Sequence, residues 1–159
     1  MAQYTAAANG WTPVAHADGA SALANASYQA VRTTTASTIR VTEAFVGGEA
    51  TSSTVNRMSL RRLSTNATTP TDVAPAPLSP LSAPSLSQGY VASATGPTVA
   101  STGHLLNLAM NAFGGVIRWV AAPGQEIYAT AQTAPNGQLV LDSISGTGIV
   151  STHLIFEEM

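Results

Sequence analysis

The run Gln138-Leu139-Val140-Leu141-Asp142, followed by Gly146-Thr147-Gly148 and then by Ile149-Val150-Ser151-Thr152-His153-Leu154-Ile155-Phe156, decides the class of fold. Leu139 and Leu141 recur at a period of two, and Val150, Leu154 and Phe156 fall on one side. Each run therefore lays an apolar face along an extended strand. The glycines between them permit a turn. Pro135-Asn136-Gly137 stands just before the first run. Asn-Gly tolerates positive φ, and with Glu126-Ile127-Tyr128-Ala129-Thr130-Ala131 on its other side it predicts a hairpin. Further back, Val116-Ile117-Arg118-Trp119-Val120 follows Gly114-Gly115 as a short strand, and Ala122-Pro123-Gly124 turns the chain. His104 to Phe113 carries Leu105, Leu108, Ala109 and Ala112 at a spacing that a short helix also fits. Its neighbours are strands, so a strand ending near Met110 is expected.

The first 66 residues give the same kind of signal. Tyr28 to Thr35 is rich in β-branched residues, which suit a pleated, half-buried surface. In Thr38-Ile39-Arg40-Val41-Thr42-Glu43-Ala44-Phe45 the residues Ile39, Val41 and Phe45 are expected on one face, and Gly47-Gly48 is expected to break the strand. From Thr54 to Leu63, Met58 and Leu60 face one way and Arg57, Ser59 and Arg61 the other. The alanine-rich stretch between Ala15 and Ala26 fits either a helical turn or a loop. Residues 67–97 differ in composition, holding Pro70, Pro75, Pro77, Pro80, Pro84 and Pro97. Proline removes a ladder donor and biases its predecessor towards extended geometry, so this stretch reads as a long arm or loop with Leu78, Leu81 and Leu86 as anchors. About eight short strands separated by turns predict an all-β, antiparallel sandwich or jelly roll. Its strands come from residues 1–66 and 98–159, with the proline-rich arm, residues 67–97, between them.

The chain has 159 residues, of which only 9% are charged, against about 25% in an ordinary soluble domain. All six basic residues are arginine: Arg32, Arg40, Arg57, Arg61, Arg62 and Arg118. A net charge of −2 does not favour wrapping of nucleic acid, which needs many contacts from basic residues to phosphate. With no cysteine there is no disulfide framework, thiolate zinc site or thiol nucleophile. No apolar run approaches the roughly 20 residues of a membrane span, and Met1-Ala2-Gln3-Tyr4-Thr5 lacks the features of a signal peptide, so synthesis in a cytoplasm is expected. Free monomers stay soluble by displaying mixed charges. A surface of Thr, Ser, Ala and Asn is better suited to being covered by neighbours.

Catalytic chemistry is sparse in the sequence. His16, His104 and His153 occur at no metal-ligand spacing, and no Gly-x-Ser-x-Gly elbow, Walker loop or dinucleotide fingerprint is present. Glu126 and Asp142, near opposite ends of the expected hairpin, could approach through the sheet as a pair for glycoside cleavage, but with eight acids in total any such pairing is unremarkable. Glu157-Glu158 reads as a solvated end. Arg57, Arg61 and Arg62 are too few and too poor in aromatic neighbours for a nucleic-acid patch. They suit ion pairs to a neighbouring subunit, where planar, multi-donor guanidinium groups are favoured. Trp11, Trp119, Tyr90 and Tyr128, at or beside strands, are expected to be core more than interface. No catalytic residue, cofactor or metal ligand is assigned.

The stretch from Leu108 through Phe113-Gly114-Gly115-Val116-Ile117-Arg118-Trp119-Val120 to Glu126, together with the ending from Gly146 to Glu158, resembles small jelly-roll virion proteins of tailed bacteriophages, and in character the head decoration, or cement, proteins. The resemblance covers roughly the last 50 residues. It implies a β-sandwich that forms homotrimers on the capsid surface, reinforces the major capsid protein and is made in the host bacterial cytoplasm. The expectation is a non-enzymatic structural protein whose partners are itself and other virion proteins, with neither nucleic acid nor membrane. The alternative is a glycan- or receptor-binding sandwich module of a fibre or spike. Arg57, Arg61, Arg62, Leu78, Leu81 and Leu86 are the expected interface residues.

Overall fold

The computed structural model describes residues 1–16, 23, 28–34, 36–130 and 137–159. These form strands and no helices. One sheet contains β1 (Ala2–Trp11), β3 (Ile39–Gly48), β6 (Ala76–Pro77), β9 (Val116–Val120), β10 (Ile127–Ala129) and β12 (Val150–Glu158). The other contains β2 (Tyr28–Arg32), β4 (Val55–Leu63), β5 (Thr68–Val73), β7 (Gln88–Thr95), β8 (Val99–Asn111) and β11 (Gln138–Ser145). All ladders are antiparallel. The order β10-β3-β12-β1-β6, with β9 also on β3, packs against β5-β7-β2-β11-β4-β8. Without the short β6 and β10 and the added β5 and β7, the orders are β1-β12-β3-β9 and β2-β11-β4-β8. Those are the two interleaved four-stranded sheets of a jelly roll.

The period-two residues explain the core. Val150, Leu154 and Phe156 of β12 and Leu139 and Leu141 of β11 are buried between the sheets with Met58 and Leu60 of β4. Along β3 the alternation breaks. Ile155 pairs with Glu43 and Phe156 with Val41, leaving Thr42 as an extra residue. That bulge lets Val41 and Ala44 both point inwards, and it turns Phe45 to the outer face, correcting its expected place beside Ile39 and Val41. There the Phe45 ring stacks on His153 at 4.6 Å between centroids.

Two other expectations are corrected. Gly47 and Gly48 do end β3, but as its last paired residues, opposite Ser151 and Val150 of β12, and the chain turns only after them. A Cβ on Gly48 would stand 2.3 Å from the carbonyl oxygen of Ala112, so glycine serves close backbone approach here, not a turn. The runs flanking Pro135-Asn136-Gly137 do not form a hairpin: β10 pairs with β3 in one sheet and β11 lies between β2 and β4 in the other. Pro135 and Asn136 themselves, and most of the alanine-rich stretch between Ala15 and Ala26, lie outside the described residues. The segment from His104 to Phe113 is strand as far as Asn111.

The proline-rich stretch is not a free arm. β5 pairs with β7, which pairs with β2, while β6 crosses to the other sheet and pairs with β1 at Tyr4 and Thr5. Pro70 and Pro77 thus occupy edge strands, where a missing N–H costs no central ladder bond. The stretch closes one lateral side of the sandwich. A second apolar cluster, Leu23, Tyr28, Ala30, Leu63, Tyr90, Val99 and Val140, lies on the outward face of the β2-β11-β4 sheet. β2 and β11 are therefore buried on both faces.

Candidate functional site

The three arginines expected to form one interface cluster are separated by the pleat and by burial. Arg57 is exposed. Arg61 is only 1% exposed, and its Nε donates to Oδ1 of Asp142 at 3.0 Å while Nη2 donates to Oδ2. Both partners lie on the outward side of the second sheet, beneath His16, whose N–H donates to the carbonyl of Ser143 at 2.9 Å. Arg61 has no free face to offer another subunit, so its expected interface role is corrected to an internal one. Arg62 donates from Nη2 to the carbonyl of Tyr128 at 2.9 Å, tying β4 to β10 in the other sheet.

Burial decides the electrostatics at this centre. It pushes the Asp142 carboxyl up from its ordinary value, against the two hydrogen bonds and the charge of Arg61. It holds the His16 imidazole below its ordinary value, with Asp142 opposing and Arg61 adding to the effect. Nearby, the Ser59 hydroxyl and Nδ1 of His104 share a 2.8 Å hydrogen bond. Ser, His and Asp thus occur on one face, but both Asp142 oxygens are engaged by Arg61 and Ser59 is fully buried. Glu126 lies 3.9 Å from Arg40, on the other sheet from Asp142, so the two acids weighed for glycoside cleavage belong to different ion pairs. Among the described residues no three His, Cys, Asp or Glu side chains gather as metal ligands.

Two further ion pairs lie on the outer face of the first sheet. Arg118 makes a bidentate contact to Glu43 at 2.8 and 2.6 Å, and holds its carboxyl below the ordinary range. Arg40 and Gln3 do the same for Glu157. The expected solvated end, Glu157-Glu158, is therefore a fastening. Glu158 accepts from the backbone N–H groups of Ser87 at 2.6 Å and Leu86 at 3.0 Å, and from the Ser85 hydroxyl at 3.0 Å.

That fastening holds the loop bearing the three expected leucines. Its other bonds run from the N–H of Leu78 to the carbonyl of Gln3 at 2.9 Å and from the hydroxyl of Tyr4 to the carbonyl of Ala83 at 2.9 Å. Leu78, Leu81 and Leu86 are all exposed, Leu81 to 95%. The loop is thus pinned at both ends by β1 and β12 and presents apolar side chains to solvent. Trp11 and Tyr90 are core residues and Trp119 packs against the core, whereas Tyr128 is exposed.

A second exposed apolar set was not anticipated: Leu105, Phe113, Val116 and Val120 lie on β8, β9 and the turn between them. Its sequence signal was the absence of any charged residue from Val73 to Ile117. Comparison with protein-family models, curated proteins and solved structures finds no match to the chain.

Proposed function

We propose that this chain is a virion structural protein: a decoration, or cement, protein that self-associates, as a trimer on the resemblance, and reinforces a phage capsid through contacts with the major capsid protein. The observation that carries the reading is the pinned loop. Exposing leucines costs solubility, and fixing them on a loop tied to two strands removes much of the entropy that docking would otherwise cost. Support also comes from the jelly-roll topology and from the pairing of Arg40 with Glu157 and of Arg118 with Glu43 within the chain. Cement function needs only many modest contacts repeated by symmetry, because whatever binds the assembled shell stabilises it by mass action.

The test uses particles stripped of this protein. Adding back the wild-type chain should restore saturable binding. A folded Leu78→Ser/Leu81→Ser/Leu86→Ser variant should bind at least about tenfold more weakly, the loss expected when a few anchor residues carry most of an interface. Binding of the triple variant at wild-type strength would reject the loop as the capsid contact. A clean hit for the wild-type chain on a glycan array, without particle binding, would favour the fibre or spike alternative.

A further inference from the structure

The chain holds two Asn-Gly pairs, Asn9-Gly10 and Asn136-Gly137. With no side chain, glycine leaves its own amide nitrogen unshielded, so that nitrogen can attack the side-chain amide of the asparagine before it. Asn136 lies outside the described residues, whereas Asn9-Gly10 stands in β1 where the ladder with β12 is interrupted. Ala8 pairs with Thr152 and Trp11 with Val150, so two residues of β1 face Ser151 alone. Gly10 takes a φ of +59° within that bulge, and Asn9 is exposed.

The bulge redirects the Gly10 N–H. In a regular ladder it would donate to a carbonyl oxygen, which cannot take up the proton. Here it donates to Oγ of Ser151 at 2.9 Å, and that hydroxyl donates to Oε1 of Glu49. The second oxygen of the same carboxylate stands 3.6 Å from where a Cβ on Gly10 would lie. Glu49 is fixed in turn by its backbone N–H, which donates to the carbonyl of Ile149 at 2.9 Å. The nitrogen that must lose a proton therefore sits one hydroxyl away from a carboxylate, within reach of a general base. The other titratable side chains of β1 and β12 are engaged elsewhere. Tyr4 is core, His153 stacks on Phe45 and lies 3.8 Å from Glu43, and Glu157 and Glu158 bind Arg40 and the 85–87 segment.

We infer that Asn9-Gly10 is a site of self-modification, where Asn9 is converted to aspartate and isoaspartate through a cyclic imide. The Gly10 nitrogen gives its proton to Oγ of Ser151 as that hydroxyl passes its own to Glu49, and the nitrogen forms a bond to Cγ of Asn9. The Cγ–Nδ2 bond breaks, and Nδ2 leaves as ammonia with its electron pair and the proton held by Glu49. Water then opens the imide at either carbonyl, so the reaction needs no oxidant, reductant or cofactor. The product carries an added negative charge near Glu49, and its isoaspartyl form lengthens the backbone of β1 by a methylene. The inference does not depend on the capsid role.

The experiment ages the purified full chain at neutral pH, folded and in guanidinium chloride, and follows both asparagines by mass spectrometry of tryptic peptides. Cleavage after arginine places Asn9 in residues 1–32 and Asn136 in residues 119–159. In denaturant, where the relay is dismantled, the two should convert at similar rates. In the folded chain Asn9 should convert at least about tenfold faster than in denaturant, a small part of what a positioned base contributes. Glu49→Gln, folded by circular dichroism, should remove that excess and leave the Asn136 rate as it was. Across the neutral range the wild-type Asn9 rate should stay nearly flat, because a carboxylate base is already ionised, while the Glu49→Gln rate should rise with hydroxide. Should Glu49→Gln fail to fold, Ser151→Ala carries the same expectation. Folded Asn9 converting no faster than in denaturant, or a folded relay variant keeping the wild-type rate and pH profile, would overturn the inference.

Discussion

Arg61 and Asp142 form a charged pair with almost no solvent contact. A buried pair of this kind adds little over a well-packed apolar pair, but removing one partner leaves an uncompensated charge. Arg61→Met alone, or Asp142→Leu alone, should therefore cost about 3–5 kcal/mol of unfolding free energy, and the double variant should regain most of it. Chemical denaturation of the four proteins closes the cycle. Additive losses would mean that the two side chains do not act as a pair. The sequence placed Arg61 correctly opposite Met58 and Leu60. It did not disclose that this second face is also covered, because the cover comes partly from Tyr28, Tyr90 and Val99 on strands distant in the chain.

At the level of elements, period-two alternation made β4, β11 and β12 legible, since each buries the residues the pattern selects. What alternation cannot carry is partner choice. The strands β10 and β11 looked like hairpin arms and belong to opposite sheets, and one extra residue at Thr42 reversed the face on which Phe45 lies. The acidic end was misread for a related reason: Glu157 and Glu158 find their donors on β3, β1 and the 85–87 segment, far away in sequence. Those contacts have a pH signature. Hydrogen bonding by Arg118 and Arg40 depresses Glu43 and Glu157, and at Glu158 burial opposes but the Ser87, Leu86 and Ser85 donors win. All three lie below their ordinary 4.5, so just below that pH the unfolded chain binds more protons than the folded one. Their stabilising contribution is complete above that value and is lost as pH falls through the lowered ones. Melting temperature should therefore drop as pH is taken below about 4.5, and Glu158→Gln should flatten part of that drop. An unchanged slope in the variant would show that Glu158 does not fasten the loop.

On the scale of the whole molecule, the jelly roll assigns different tasks to different sides. The proline-rich stretch seals one side and displays leucines on a fixed loop, while β8 and β9 leave the opposite side open. A protein so poor in free charge gains solubility and purpose together when its surfaces are covered. In the proposed role it adds contacts that a shell must lose before it can open. The decisive measurement is the temperature at which the genome escapes from otherwise identical particles with and without this protein. The account predicts release at a lower temperature from particles that lack it, with add-back restoring the higher value. Equal release temperatures, with the protein shown to be bound in one sample and absent from the other, would contradict it.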